Sequence, residues 1–279
     1  MSTIQPPSPI LSTGGVGRRA AEAALNARFA AAQGLAAEAA ALAMRMRPPP
    51  GAAQATLKGA QDWLTEADGA VERLLSDGLA AAFPEDGFQG EETGRTRAGA
   101  LRWVVDPIDG TSNYARGASR WCVSVGLLDG DTPLLGVLAA PALGETFAAC
   151  RGRGATLNGM PIHAAATDAL ARSIIEVSWS PRVDNAAYQA LSARIQASGA
   201  SLRFGGSGAL GLADVAAGRM DGYAELHINL WDCAAALAVL EEAGAVTLPF
   251  LPRGNLGGAP ILAAAPGVAA ALAAAAALP

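Results

Sequence analysis

The chain has 279 residues, 51% hydrophobic and 16% charged, with 20 basic and 25 acidic side chains and a formal net charge of −5. That length allows about one or two domains with a sizeable core, and so small a charged fraction excludes a disordered chain. The mildly acidic balance argues against general nucleic-acid binding, which relies on clustered Lys and Arg.

Residues 1–17 are rich in Pro, Ser and Gly and lack the basic start and apolar run of a signal peptide. They read as a flexible tail ahead of one folded unit over 18–279. Good helix formers run from Arg18 to Met46, where Pro48-Pro49-Pro50 stops them. A second helix is expected over Glu66 to Ala82, with Val71, Leu74, Leu75 and Leu79 at helical spacing and Thr65-Glu66-Ala67-Asp68 shaped like a capping box. Gly87 to Arg97 reads as a polar loop carrying Gly90-Glu91-Glu92.

Short apolar runs predict strands at Leu101–Val105, Cys122–Leu128, Leu134–Ala139, Thr146–Ala149 and Ile174–Ser178, with Asn158-Gly159 as a hairpin turn. Helices are expected at Asn185–Ala197, from Gly208 to about Ala217, and at Asp232–Ala243 before Gly244. A strand is expected near Gly222–Leu226. The uncharged run from Ala259 to Leu278 is interrupted by Pro266-Gly267. It reads as a strand (Pro260–Ala265) and an Ala-rich helix rather than a bilayer span. Alternating helices and strand groups suggest layered α and β packing, and a soluble cytoplasmic protein is expected.

Three scattered cysteines and two histidines fit neither a disulfide framework nor a multi-histidine metal site. Ser-His or Cys-His catalysis stays open with few candidates, and the carboxylates offer the fuller pattern. Val104-Val105-Asp106-Pro107-Ile108-Asp109-Gly110-Thr111 carries an apolar strand into two carboxylates three residues apart. Pro107 fixes its own φ and biases Asp106 towards an extended backbone, so both carboxylates can converge at the strand's end. Hard cations such as Mg²⁺ take oxygen ligands of this kind. The N–H groups of Gly110 and Thr111, where a new element begins, suit a phosphate oxygen. Taken singly, each fragment has a plainer reading. Asp106 to Gly110 can be an ordinary turn, Glu91-Glu92 a solvated pair, and Asp232 or Asp68 a helix cap. Cys122 and Cys233 read as small buried residues, His227 as a structural histidine, and Trp121 and Trp179 as core or interface.

The order of the fragments is more telling. Gly90-Glu91-Glu92, the block Trp103 to Tyr114 around Asp106-Pro107-Ile108-Asp109-Gly110-Thr111, and Trp231-Asp232 followed by Glu242-Ala243-Gly244 together resemble the inositol monophosphatase family of Mg²⁺-dependent, lithium-sensitive phosphomonoesterases. Lys58 and the Asp62 to Asp68 segment match that family's early loop. The resemblance implies an α+β fold, a layered α-β-α-β-α sandwich of the inositol monophosphatase and fructose bisphosphatase type, and a homodimer. It also implies that Glu91, Asp106, the Ile108 carbonyl, Asp109 and Asp232 hold two or three Mg²⁺ ions per site. Asp68 and Thr111 would polarise the attacking water beside the first ion, with Glu91 at that ion. Asp109, Gly110, Thr111, Ser112, Gly206, Ser207, Gly208, Glu225 and Asp232 would contact the phosphorylated substrate, and the Trp179 to Arg182 loop is expected to help form the pocket wall. An inositol monophosphate is the first substrate expected. Histidinol phosphate and 3′-phosphoadenosine 5′-phosphate are alternatives, and binding to transcription machinery is the non-enzymatic one.

Overall fold

The computed structural model describes residues 15–49, 56–59, 62–254 and 257–278. Helix α1 (Gly15–Met46) begins inside the stretch read as a tail, and residues 1–14 lie outside the described residues. Ala32, Ala36, Ala39 and Ala43 are fully buried, a stripe at three- and four-residue spacing that turns one face of α1 inward. β1 (Thr56–Gly59) and β2 (Asp62–Leu64) form a separate antiparallel pair. The side chains of Lys58 and Asp62 lie outside the described residues. Helix α2 (Glu66–Ala82) has the predicted bounds and packs along α1. It opens with the expected capping box: Ala67 N–H donates to Thr65 Oγ1 at 3.3 Å, and Thr65 N–H donates to Asp68 Oδ2 at 2.8 Å.

The larger sheet has eight strands. β3 (Gly87–Gly90), β4 (Gly94–Arg97), β5 (Leu101–Asp109), β6 (Cys122–Asp129), β7 (Thr132–Ala140), β8 (Glu145–Cys150), β9 (Ala155–Leu157) and β10 (Met160–Ile162) lie in the order β10-β9-β8-β7-β6-β5-β3-β4. Asn158 and Gly159 turn β9 into β10 with φ of 51° and 78°, as their turn chemistry predicts. The segment from Gly87 to Arg97 is a hairpin rather than a polar loop. Its strands lack apolar alternation, and β3 is drawn into the sheet by parallel pairing with β5, a case of tertiary pairing overriding local propensity. A short helix, α3 (Thr111–Ala115), follows β5.

The smaller sheet contains β11 (Ile174–Ser178), β12 (Ser201–Arg203), β13 (Gly222–Ile228), β14 (Val246–Thr247) and β15 (Ala259–Ala264), in the order β12-β11-β13-β15-β14. Its helices are α4 (Asn185–Ala197), α5 (Gly208–Ala216), α6 (Leu230–Glu242), α7 (Leu251–Gly254) and α8 (Ala269–Ala276). Helices α1 and α2 cover one face of the large sheet, and α5 and α6 lie between the sheets. Helices α4 and α8 close the outer face of the small sheet. The result is the α-β-α-β-α sandwich. The uncharged C-terminal run is a strand and a helix, and among the described residues no helix is long and apolar enough to cross a membrane. Helix α6 lies with its backbone at Ala235 directly over Gly126 and Gly136 of β6 and β7, where any side chain would collide with it. That close approach fixes the height of the α6 N-terminus above the end of β5.

Candidate active site

Residues i and i+3 of a regular strand point to opposite faces, yet Asp106 and Asp109 converge. The pairing of β5 with β6 explains this: Asp106 faces Ser124 and Asp109 faces Cys122, so three steps on β5 match two on β6. The extra residue is a β-bulge around Pro107, whose missing N–H costs the ladder nothing there. Asp106 secures the bulge itself, accepting the Ile108 N–H at Oδ1 over 2.9 Å. Both carboxylates are buried, 1% and 6% exposed.

The third carboxylate comes from the α6 N-terminus. Asn229 is the N-cap and Asp232 sits three residues on, where its Oδ2 accepts the Asn229 N–H at 2.9 Å and the Asn229 side-chain amide at 3.1 Å. Asp232 is therefore both a cap and a site residue, and the two readings of its sequence context coexist. Asp106, Asp109 and Asp232 each offer an oxygen within 4.8 Å of the other two. Glu91 joins from the turn after β3. Gly90 pairs with Val105, and Glu91 N–H donates to the Val105 carbonyl at 3.2 Å, which brings the Glu91 carboxyl to Asp106.

Such crowding has an electrostatic consequence. Burial, then repulsion from Glu91, Asp109 and Asp232, pushes the Asp106 carboxyl far above the usual carboxylate range. Burial and Asp232 raise Asp109 to about 7, against the pull of Ser207 and the backbone N–H groups of Ala209 and Gly208. Burial also raises Asp232. Without a cation these groups resist ionising together. An all-carboxylate oxygen set that small and that buried fits a hard divalent cation.

Around the cluster, the chain supplies further polar groups. Gly110 takes φ of 89°, a left-handed conformation that glycine adopts without strain, and so turns β5 into α3. The Thr111 hydroxyl donates to the Ile108 carbonyl at 2.9 Å. Ser112, Asn113, Gly206, Gly208 and Glu225 line the same cavity, of about 600 Å³, with Glu91, Asp106, Ile108, Asp109 and Asp232. Ser207 is buried and faces inward. Its hydroxyl donates to Asp109 Oδ2 and accepts the Leu210 N–H at 3.3 Å, capping α5. Asp68 is not among the cavity-lining residues. Its Oδ2 takes the Thr65 N–H and hydroxyl, its Oδ1 has no partner among the described residues, and burial raises it to about 6. Glu225 accepts the Tyr223 hydroxyl at 2.5 Å, and burial raises it to about 8.

The cavity also has a wall from the Trp179 to Arg182 loop, where sequence reasoning expects one, and an aromatic neighbour, Phe204, that it did not foresee. Trp179, read as core or interface, is half-buried and lines it beside Arg182, His227 and the 61% exposed Phe204. Only position along the chain, just past β12, marks Phe204 as a rim residue. His227 keeps a structural bond as well, through Nε2 to the Gly257 carbonyl at 3.0 Å. Trp121 is core, edge-on to Tyr114, and Cys122 and Cys233 are buried free thiols. Arg120 is kept from the cavity by Glu176 and Asp214, at 2.6 and 2.7 Å.

Residues 25–278 match the family model described as the inositol monophosphatase family. The chain belongs to the inositol monophosphatase family. Inositol monophosphatase 2 of Solanum lycopersicum is 37% identical over 201 residues, 68% of this chain and 76% of that protein. Nus factor SuhB of Xylella fastidiosa is 36% identical over 195 residues, 69% of this chain and 71% of that one. Among solved structures, the extragenic suppressor protein suhB of Bartonella henselae superposes with a TM-score of 0.81 at 29% identity, covering 91% of this chain and 98% of its own. Inositol monophosphatase family members are metal-dependent phosphatases, and this chain is accordingly a phosphoric monoester hydrolase.

Proposed function

We propose that this protein hydrolyses a small phosphate monoester, first of all an inositol monophosphate, with Mg²⁺ as its metal. The observation that carries the reading is the bulge at Pro107, which turns Asp106 and Asp109 to one side to meet Asp232 at the α6 N-terminus. Glu91, Asp106, the Ile108 carbonyl, Asp109 and Asp232 are the residues that would hold two or three ions. When bound, Mg²⁺ offsets the charge of the phosphate and lowers the pKa of coordinated water.

The chain's own groups divide the remaining work. Gly110 and Thr111 present N–H groups at the start of α3, beside the carboxylates, where a phosphate oxygen can lie. Asp68 Oδ1, buried without a partner among the described residues, is a ready acceptor for a proton of the attacking water. The Thr111 hydroxyl, its own proton directed to the Ile108 carbonyl, presents its oxygen as a second acceptor. Glu225, oriented by Tyr223, and the backbone around Gly206 and Gly208 face the leaving alcohol. Names borne by the relatives from Solanum lycopersicum and Rhizobium meliloti, both inositol monophosphatases, support the choice of substrate. The same reading carries a homodimer in the cytoplasm, checked by light scattering and by cell fractionation.

The test is phosphate release from inositol 1-phosphate, histidinol phosphate, 3′-phosphoadenosine 5′-phosphate and fructose bisphosphate, with Mg²⁺ and with EDTA. Metal-dependent turnover led by inositol 1-phosphate is the expected result. Preference for another member of the panel replaces the substrate and keeps the reaction. No turnover, with no effect of Mg²⁺ on the melting temperature, overturns the reading. Relatives named Nus factor SuhB favour binding to transcription machinery as a second reading. Retention of RNA polymerase by an inactive Asp109→Asn variant is its test.

A further inference from the structure

Helix α2 buries two acidic side chains one turn apart, Asp68 and Glu72, each 1% exposed. Glu72 lines up with Val71, Leu75 and Leu79 on the buried face of the helix, where a carboxylate is costly unless its oxygens are satisfied. They are. Oε2 accepts the Glu92 N–H at 2.8 Å, and Oε1 accepts the Thr93 N–H at 2.9 Å and the Thr93 hydroxyl at 2.6 Å. The carboxylate also lies flat against Gly90, where a Cβ would collide with it. Residues 90, 92 and 93 are thus held from one point, and the residue between them is Glu91.

We infer that Glu72 is the positioning residue for Glu91: it grips the turn on both sides so that the Glu91 carboxyl is delivered to Asp106. The inference rests on the reading of Glu91 as a metal ligand, and it adds a residue which that reading does not use. The chemistry is specific to a carboxylate. All three groups that meet Glu72 are donors, so an amide in its place must turn an N–H towards an N–H. Partners that orient a metal ligand typically contribute about 10- to 100-fold to metal affinity. Glu72 belongs to that class, although it works through the backbone of the turn.

Mn²⁺ binding to the full-length protein without substrate, followed by electron paramagnetic resonance, tests this. Glu72→Gln is expected to weaken Mn²⁺ binding about 10-fold or more, with turnover recovered by excess Mg²⁺ because every ligand is still present. Glu91→Gln is expected to weaken binding without such recovery. The double variant is expected to bind no more weakly than Glu91→Gln alone, since coupled residues are non-additive. Wild-type affinity in Glu72→Gln, or losses that multiply in the double variant, overturns the inference. Unchanged binding in Glu91→Gln instead removes the metal role of Glu91, and the inference with it. If Glu72→Gln does not fold, Thr93→Val removes one of the three donors. A few-fold weaker Mn²⁺ binding then supports the inference, and wild-type affinity overturns it.

Discussion

Asp68 and Asp232 hold the same position in two different helices. Each is the third residue of its helix, and each spends Oδ2 on the N–H of the capping residue, Thr65 or Asn229. The cap fixes the carboxylate against rotation and leaves its second oxygen for other use. The Asp232 carboxyl also meets Asp106, and Asp68 Oδ1 has no hydrogen-bond partner among the described residues. A plain helix-capping signal in sequence is therefore also a device for aiming a carboxylate.

Replacing Asp68 by Asn separates the two roles. The Asn oxygen can still accept the Thr65 N–H, so the helix start survives, and stability should change by no more than the ~1 kcal/mol that a cap is worth. Basicity is lost. Turnover is expected to fall by about 100-fold, the lower range for removing a group that takes a proton in the reaction. Melting temperature and kcat, measured on the same preparation, check this. Wild-type kcat would leave Asp68 a cap and nothing more.

Asp109 gives the site a pH signature. Its carboxyl is raised to about 7 by burial and by Asp232, against about 3.9 in an unfolded chain. Between those values the folded protein holds a proton that the unfolded chain has released, so stability falls as pH rises. In EDTA, wild type should lose stability relative to Asp109→Asn between about pH 4 and pH 7. Mg²⁺ should restore wild type at pH 8 and do little for the variant. Activity of Asp109→Asn should fall by more than the ~100-fold upper range for losing a mere partner of a ligand. Paired thermal scans across pH, with and without Mg²⁺, read both. Parallel curves for the two proteins would remove Asp109 from the metal set.

How far the sequence carried these conclusions differs from element to element. The bounds of α2 were legible because Thr65 and Asp68 mark its start and Phe83-Pro84 its end. Ile174–Ser178 was legible as a short apolar run between polar neighbours. The strands of the Gly87–Arg97 hairpin were not, since their order comes from pairing with β5 and not from their own pattern. The bulge at Pro107 is a register event between two strands, visible only once Ser124 and Cys122 stand opposite. The order of the layers came from family resemblance, because helical and strand periodicities say nothing of which face meets which. Glu72 did leave a signal. It shares the helical face of Val71, Leu75 and Leu79, and an acid on an apolar face calls for a partner.

Ser207 is expected to touch substrate, and its hydroxyl also donates to Asp109 while capping α5. Ser207→Ala should cost about 1 kcal/mol through the lost cap. It should also free Asp109 from a donor that favours its charged form. The Asp109 carboxyl then moves up, and half-maximal activation should need more Mg²⁺ at pH 6 than at pH 8, by a wider margin than in wild type. Mg²⁺ titrations of activity at the two pH values measure that margin. An unchanged margin with a raised KM would return Ser207 to the substrate.

Phe204 and Trp179 form the rim of the cavity. Phe204 is 61% exposed at its mouth, and Trp179 is half-buried there with its indole N–H on Asn185 at 2.9 Å. Distance from the chemistry decides their role: neither side chain bonds to a carboxylate of the cluster, so neither stabilises charge that develops in the reaction. Groups that bind ground state and transition state alike change KM and leave kcat alone. Phe204→Ala should therefore raise KM by several-fold with kcat unchanged, and Trp179→Phe, which keeps an aromatic ring but drops the bond to Asn185, should do less. The effect should be larger for a leaving group with a flat apolar face than for inositol, whose edge is all hydroxyl. Steady-state kinetics on inositol 1-phosphate and histidinol phosphate separate the two, and a fall in kcat with constant KM would mean that the rim orders the cluster itself.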